Sequence, residues 1–201
     1  YMPWFMFLEQ HVTTEYHVIQ TTFDEYIPFI EYFIIPYLLW FVFIAVVMLY
    51  FFFTDVDGFY KLAKIMFTGM TIFLIISTIF PNGQDLRPMV FERDNIFVDM
   101  VRMVYRMDTC TNVFPSLHVF NSVCACIAIH ESKALKKHRT VCQAAYLLAG
   151  LIILATMFLK QHSVLDVMAA SFMAYVLYQF VYAKERRRAP KLVKLPVVQN
   201  K

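Results

Sequence analysis

The chain has 201 residues, of which 60% are hydrophobic, 17% aromatic and only 16% charged, with a formal net charge of +3. A soluble domain is nearer half apolar and about a quarter charged, so the composition argues against a water-soluble globule. The small positive excess, with no basic patch interleaved with aromatics, argues against a nucleic-acid partner.

The charges are segregated: residues 32–53 and 65–82 contain none. Apolar runs of about 20 residues cross a bilayer as helices, because lipid offers the backbone no hydrogen-bond partner. The expected fold is therefore all-α: a polytopic transmembrane bundle of about six helices, forming one domain over residues 1–183, with a basic tail at 184–201. Strands for a barrel would be about half as long and alternating.

In chain order, the apolar opening at 1–8 is too short to span and reads as the end of a truncated first helix. Residues 9–31 mix polar and aromatic side chains, with His11, His17, Asp24 and Glu25; this reads as an interfacial segment. Full spans are expected at 32–53, 64–80, 112–130, 141–159 and 163–183. Residues 54–63 read as a short turn, in which Asp55-Val56-Asp57-Gly58 lacks the remaining ligands of a calcium loop. In the long charged connection 81–111, Ile96, Phe97, Met100, Val101, Val104 and Tyr105 recur at helical spacing. That helix lies in the membrane interface or packs on the outer ends of the bundle. Of the four cysteines, Cys110, Cys124, Cys126 and Cys142, three fall in or near apolar runs, where cysteine acts as a small buried hydrophobe. No disulfide framework or metal-ligand spacing is evident among them.

Charge sets the orientation. With the tail in the cytoplasm, segments 54–64, 132–140 and 184–201 lie on that side and hold thirteen of the eighteen Lys and Arg residues. Short basic loops stay inside, which leaves Arg87, Arg93, Arg102, Arg106 and Lys160 on the extracytoplasmic face. The tail, with Arg186, Arg187 and Arg188, reads as an orientation signal with some attraction to anionic lipid.

Polar residues at span ends are costly in lipid and need a reason. The topology brings Arg87, Ser116, His118, Lys160, His162 and Asp166, from distant segments, to one face. His162 and Asp166 are four apart and share a helix side, so the carboxylate can hold one imidazole nitrogen and leave the other free as nucleophile or base. A helix beginning near Ser116 points free N–H groups and its positive end outward, an anion site, with His118 within a turn as a candidate acid. Arg87 and Lys160 add positive charge for a phosphate, although Lys160 also suits snorkelling to headgroups. Two histidines and an aspartate could instead ligate zinc, but the neighbouring cations would repel a metal.

These residues resemble the type 2 phosphatidic acid phosphatase superfamily, the lipid phosphate phosphatases, over roughly residues 64–183. The family's Pro-Ser-x-His motif stands as Pro115-Ser116-Leu117-His118. Its first motif keeps Arg87-Pro88 but has Phe80 at the Lys position, and its third keeps His162 and Asp166 but has Ala155-Thr156 at the Ser-Arg positions. The resemblance implies that His162 attacks phosphorus, that Asp166 orients it and that His118 protonates the leaving group. It further implies that Arg87 and Ser116 hold phosphate oxygens, with Lys160 replacing a lost cation, and that no metal or cofactor is needed. The implied activity is hydrolysis of a lipid phosphomonoester or pyrophosphate at the outer face of a plasma membrane, through a phosphohistidine. Two alternatives remain open. One is transfer to a hydroxyl acceptor, as in the sphingomyelin and inositol phosphorylceramide synthases; the other is a non-enzymatic membrane protein with a degenerate site. The aromatic segment 16–37 is placed to shield the site from water.

Overall fold

The structure is a computed structural model that describes residues 1–12 and 15–183. The basic tail at 184–201 lies outside the described residues. The described chain is a helical bundle with α1 (Met2–His11), α2 (Thr22–Tyr26), α3 (Ile34–Thr54), α4 (Val56–Ile79), α5 (Ile96–Met107), α6 (Leu117–Glu131), α7 (Arg139–Phe158) and α8 (Val164–Tyr178). A π-helical turn, Gln179–Ala183, extends α8, and 3-10 turns at Glu31–Phe33 and Leu135–Lys137 precede α3 and α7. Four helical segments, Glu31–Thr54, Val56–Ile79, Arg139–Phe158 and Val164–Tyr182, are long and apolar enough to cross a membrane.

Helix α6 sits at the centre, packed on α3, α4, α7 and α8. Its buried residues include Val119, Phe120, Cys124, Ala125 and Ala128. Close approach depends on small residues, as expected where lipid supplies no hydrophobic drive between helices. Ala145 and Ala149 of α7 and Ala170 and Ala174 of α8 belong to the same core. Gly69 of α4 lies under the Phe120 ring, where an added Cβ would stand 2.1 Å from a ring carbon. The large apolar side chains left exposed on α3, such as Phe41, Val46 and Phe53, face the surroundings that lipid fills.

Two helix starts differ from the sequence reading. The segment 54–63 is not a loop: Asp55 caps α4 by accepting from the Gly58 N–H at 3.0 Å, so the helix begins at Val56. The span expected at 112–130 becomes helical only at Leu117, because Pro115 has no N–H and Ser116 is the N-cap. Fifteen helical residues cover about 22 Å, less than a bilayer core. The non-helical stretch before them is satisfied inside the protein, as membrane depth requires. Asn82 does this: its carbonyl accepts from Asn112 N–H at 2.6 Å, and its Oδ1 accepts from Val113 and Phe114 N–H, each at 2.9 Å.

The two ends of the bundle differ. At one, the α3–α4 turn, the 132–134 turn and Tyr182 line a common cleft. At the other, β1 (His17–Val18) pairs in parallel with β2 (Asn82–Gly83), and the 108–116 and 159–163 connections gather. Helix α5 packs on this second end by Val101 and Val104, against Ile34, Tyr37, Ala155 and Leu159. Its opposite row, with Ile96, Met103 and Met107, stays exposed. Val98, absent from the sequence-derived periodic set, is also buried. Helix α1 is ten residues long and lies along α4, with Leu8 buried on Phe73 and Leu74 and Trp4 Nε1 donating to Thr78 Oγ1 at 3.0 Å.

The Gly69–Phe120 contact predicts that Gly69→Val loosens the α4–α6 interface at a cost of about 1–3 kcal/mol. A thermal-unfolding midpoint in detergent that falls against the parent checks this, and an unchanged midpoint contradicts it.

Candidate active site

The site grows from the start of α8. Ser163 is the N-cap and Asp166 occupies the third helical position, forming a capping box: Ser163 Oγ accepts from Leu165 N–H at 3.2 Å, and Asp166 Oδ2 accepts from Ser163 N–H at 2.9 Å. The same Asp166 oxygen lies 3.2 Å from His162 Nδ1. A carboxylate accepts, so Nδ1 carries the proton and Nε2 keeps its lone pair. Asp166 is fully buried and His162 nearly so.

His118 stands in the first turn of α6. Its ring stacks on Tyr37 at 4.6 Å between centroids and tilts against Trp40 at 4.3 Å, which fixes the imidazole plane. Its Nε2 is buried with no hydrogen-bond partner. The His118 and His162 rings are 6.0 Å apart. The α6 and α8 starts are joined where Ser116 N–H donates to the Asp166 carbonyl at 3.4 Å. Ser116 itself is buried and its Oγ accepts from Val119 N–H at 3.4 Å.

Both histidines line a cavity of about 390 Å³. Its apolar wall comes from Phe5, Leu38, Trp40, Phe41, Phe73 and Leu117; its polar end from Asp108, Thr109, Thr111, Asn112 and Gln161. Burial pushes the Asp108 carboxyl up, while His162, Arg87 and the Tyr37 hydroxyl pull the other way. Glu9 of α1 reaches this end, accepting from Asn112 Nδ2 at 2.9 Å and from the Thr109 hydroxyl.

The two cations expected to hold phosphate are engaged elsewhere. Lys160 Nζ donates to the backbone carbonyl of Asp24 at 2.6 Å. Arg87 spreads over carbonyl oxygens: Nη1 donates to Tyr105 and Asp108, and Nη2 to Thr109 and to Gln161 Oε1, with the guanidinium 4.4 Å above the Tyr105 ring. Neither side chain lines the cavity. The positions where the resemblance lacks its cations are also occupied structurally. Phe80 stacks on His17 at 4.4 Å, Ala155 is buried against α5 residues, and Thr156 is buried with its hydroxyl donating to the Ile153 carbonyl.

Asp24 is the site residue whose role the sequence reading missed. It is 1% exposed and ties α2 to α8: Oδ2 accepts from Ser163 Oγ at 2.6 Å and Oδ1 from Val164 N–H at 2.8 Å. Burial alone would raise its pKa; donation from the Ser163 hydroxyl, Val164 N–H and Thr21 outweighs that and holds the carboxyl below the ordinary carboxylate range. The available signal was the capping-box spacing Thr21-x-x-Asp24, repeated at Ser163-x-x-Asp166. Gln161 carried no signal of its own.

The sequence model of the PAP2 superfamily matches residues 84–190, just over half of the chain and the stretch that contains Arg87, Ser116, His118, His162 and Asp166. No curated protein and no solved structure matches it.

The lowered Asp24 pKa has a pH consequence. A carboxyl whose folded value is depressed adds stability above its unfolded value, about 3.9, and loses it as pH falls through the folded value. The parent should therefore melt higher than Asp24→Asn near neutrality, and the gap should close as pH falls below about 4. Thermal midpoints of both proteins from neutral to acid pH check this; a gap that persists or widens at low pH contradicts it.

Proposed function

Because the chain belongs to the PAP2 superfamily, and the enzymes of that class are phosphatases and phosphotransferases, we propose that it cleaves a lipid phosphate ester through a phosphohistidine on His162. The observation that carries this reading is the facing pair of imidazoles, 6.0 Å apart at the polar end of an apolar cavity. A near-attack nitrogen-to-phosphorus distance is roughly 3–3.5 Å, and the ring separation is on the scale that one phosphorus between the imidazoles requires. His162 Nε2 attacks, and the proton on Nδ1 stays against Asp166, which stabilises the ring as it gains charge. The bond to the leaving oxygen breaks as His118 supplies it a proton. In the second half, an incoming hydroxyl loses its proton to His118 and takes the phosphoryl group from His162.

The apolar wall supports a lipid substrate, since a chain laid along Phe5, Phe41 and Phe73 puts its headgroup at the histidines. Water is the first acceptor in this reading. Alcohol transfer is the second, and the enclosure of His162 and of His118 Nε2 favours it, since a lipid filling the cavity would keep water from them. The basic end of the bundle is assigned to the cytoplasm and the site to the extracytoplasmic face of a plasma membrane.

In detergent, His162→Ala should reduce cleavage of lipid phosphate to background and abolish an acid-labile phosphoryl adduct. His118→Ala should slow lipid cleavage by about 10²–10⁴ but spare an activated p-nitrophenyl ester, whose leaving group needs no acid. Full lipid cleavage by His162→Ala refutes the assigned nucleophile.

A further inference from the structure

The reaction proposed above does not say what else the phosphate carries. The charge inventory of the cavity does. Among the described residues no lysine or arginine side chain lines it. Arg87 lies one layer behind, its Nη donors spent on three carbonyls and on Gln161 Oε1. Lys160 is turned to the Asp24 carbonyl.

What does face the cavity is neutral or acidic. Gln161 is 2% exposed, and with its oxygen held by Arg87, its Nε2 is buried on the wall with no partner. Asn112 is 5% exposed; its Nδ2 is fixed on Glu9, and its Oδ1 is likewise buried without a partner. Asp108 lines the same end, its carboxylate accepting from the Tyr37 hydroxyl at 3.3 Å. Besides His118 Nε2, the unpartnered buried atoms on this wall are therefore one neutral donor and one acceptor, with the Asp108 carboxylate beside them.

A phosphomonoester carries about −1.5 to −2 near neutral pH. Such a group in a cavity walled by Asp108, with no facing lysine or arginine and only the His118 proton to offset it, would be under-compensated in a low-dielectric site. A diester carries a single charge, which Gln161 Nε2 and the free N–H groups of the α6 start can receive. The acceptor and the carboxylate then call for a cationic hydrogen-bond donor on the second substituent.

Resting on the His162 chemistry, we infer that the substrate is a zwitterionic lipid phosphodiester with a primary ammonium headgroup, in place of the phosphomonoester that the family resemblance implies. Gln161 Nε2 donates to a non-bridging oxygen, and Asp108 with Asn112 Oδ1 receives the ammonium. The P–O bond to the lipid breaks and that oxygen takes a proton from His118. The headgroup phosphate stays on His162 through a new N–P bond, until an acceptor hydroxyl attacks phosphorus and returns the proton.

The test uses the full chain in mixed micelles with phosphatidylethanolamine or phosphatidic acid as probe, products followed by ³¹P NMR. The parent should consume phosphatidylethanolamine faster than phosphatidic acid by about tenfold or more, the worth of one charge-assisted hydrogen bond. Asp108→Asn, which keeps the shape, should narrow that ratio, chiefly through a higher KM for phosphatidylethanolamine. Phosphatidic acid consumed as fast or faster by the parent, with His162→Ala inactive, overturns this inference and leaves the His162 reaction standing. Consumption of neither lipid overturns both. An unchanged ratio in Asp108→Asn overturns the assignment of the ammonium to that carboxylate.

Discussion

One carboxylate oxygen carries two obligations. Asp166 Oδ2 closes the cap of α8 through Ser163 N–H and holds His162 Nδ1. A buried carboxylate is costly unless donors surround it, and here the donors to Oδ2 are the start of α8 and the His162 ring. One oxygen serves both the helix cap and the imidazole, so the placement of His162 is coupled to the start of α8. The partner carboxylate Asp24 repeats the device one layer out, tying α2 to Ser163 and Val164.

The same logic governs the loops at this end. Backbone that is not helical survives at membrane depth only where protein satisfies it. Asn82 and Gln84, both fully buried, supply those partners: Asn82 for residues 112–114, and Gln84 by donating from Nε2 to the Lys160 carbonyl at 2.9 Å. Lys160 takes a left-handed φ of 52°, which ends α7 and turns the chain into the site. Its side chain then falls toward Asp24, and Arg87 is drawn into a cage of carbonyls. The cations thus brace the loops that carry the histidines.

Much of this was legible in the sequence for a physical reason. Long apolar runs are long-range signals, and they located the spans now seen as α3, α4, α7 and α8. The convergence of His118, His162 and Asp166 followed from counting crossings. What was not legible depends on single side-chain contacts. The start of α4 turned on Asp55 acting as a cap, not as part of a loop. The apolar row of α5 was readable, but its packing against Ile34 and Leu159 was not, since those contacts join segments far apart in the chain. Lys160 reads as a phosphate ligand by its distance along the chain from His162, and its own left-handed φ and bond to the Asp24 carbonyl redirect it. Gln161 is silent in sequence because a glutamine beside a histidine has no patterned meaning until its burial is known.

The central claim is that a pentacoordinate phosphorus forms between His162 and His118. Vanadate adopts that geometry, so a structure determined with orthovanadate tests the claim directly. The account predicts vanadium bonded to His162 Nε2, with Asp166 still on Nδ1 and an apical oxygen toward His118 Nε2. Vanadate bound away from the two imidazoles, or held by Arg87 and Lys160 with His162 unengaged, would contradict it.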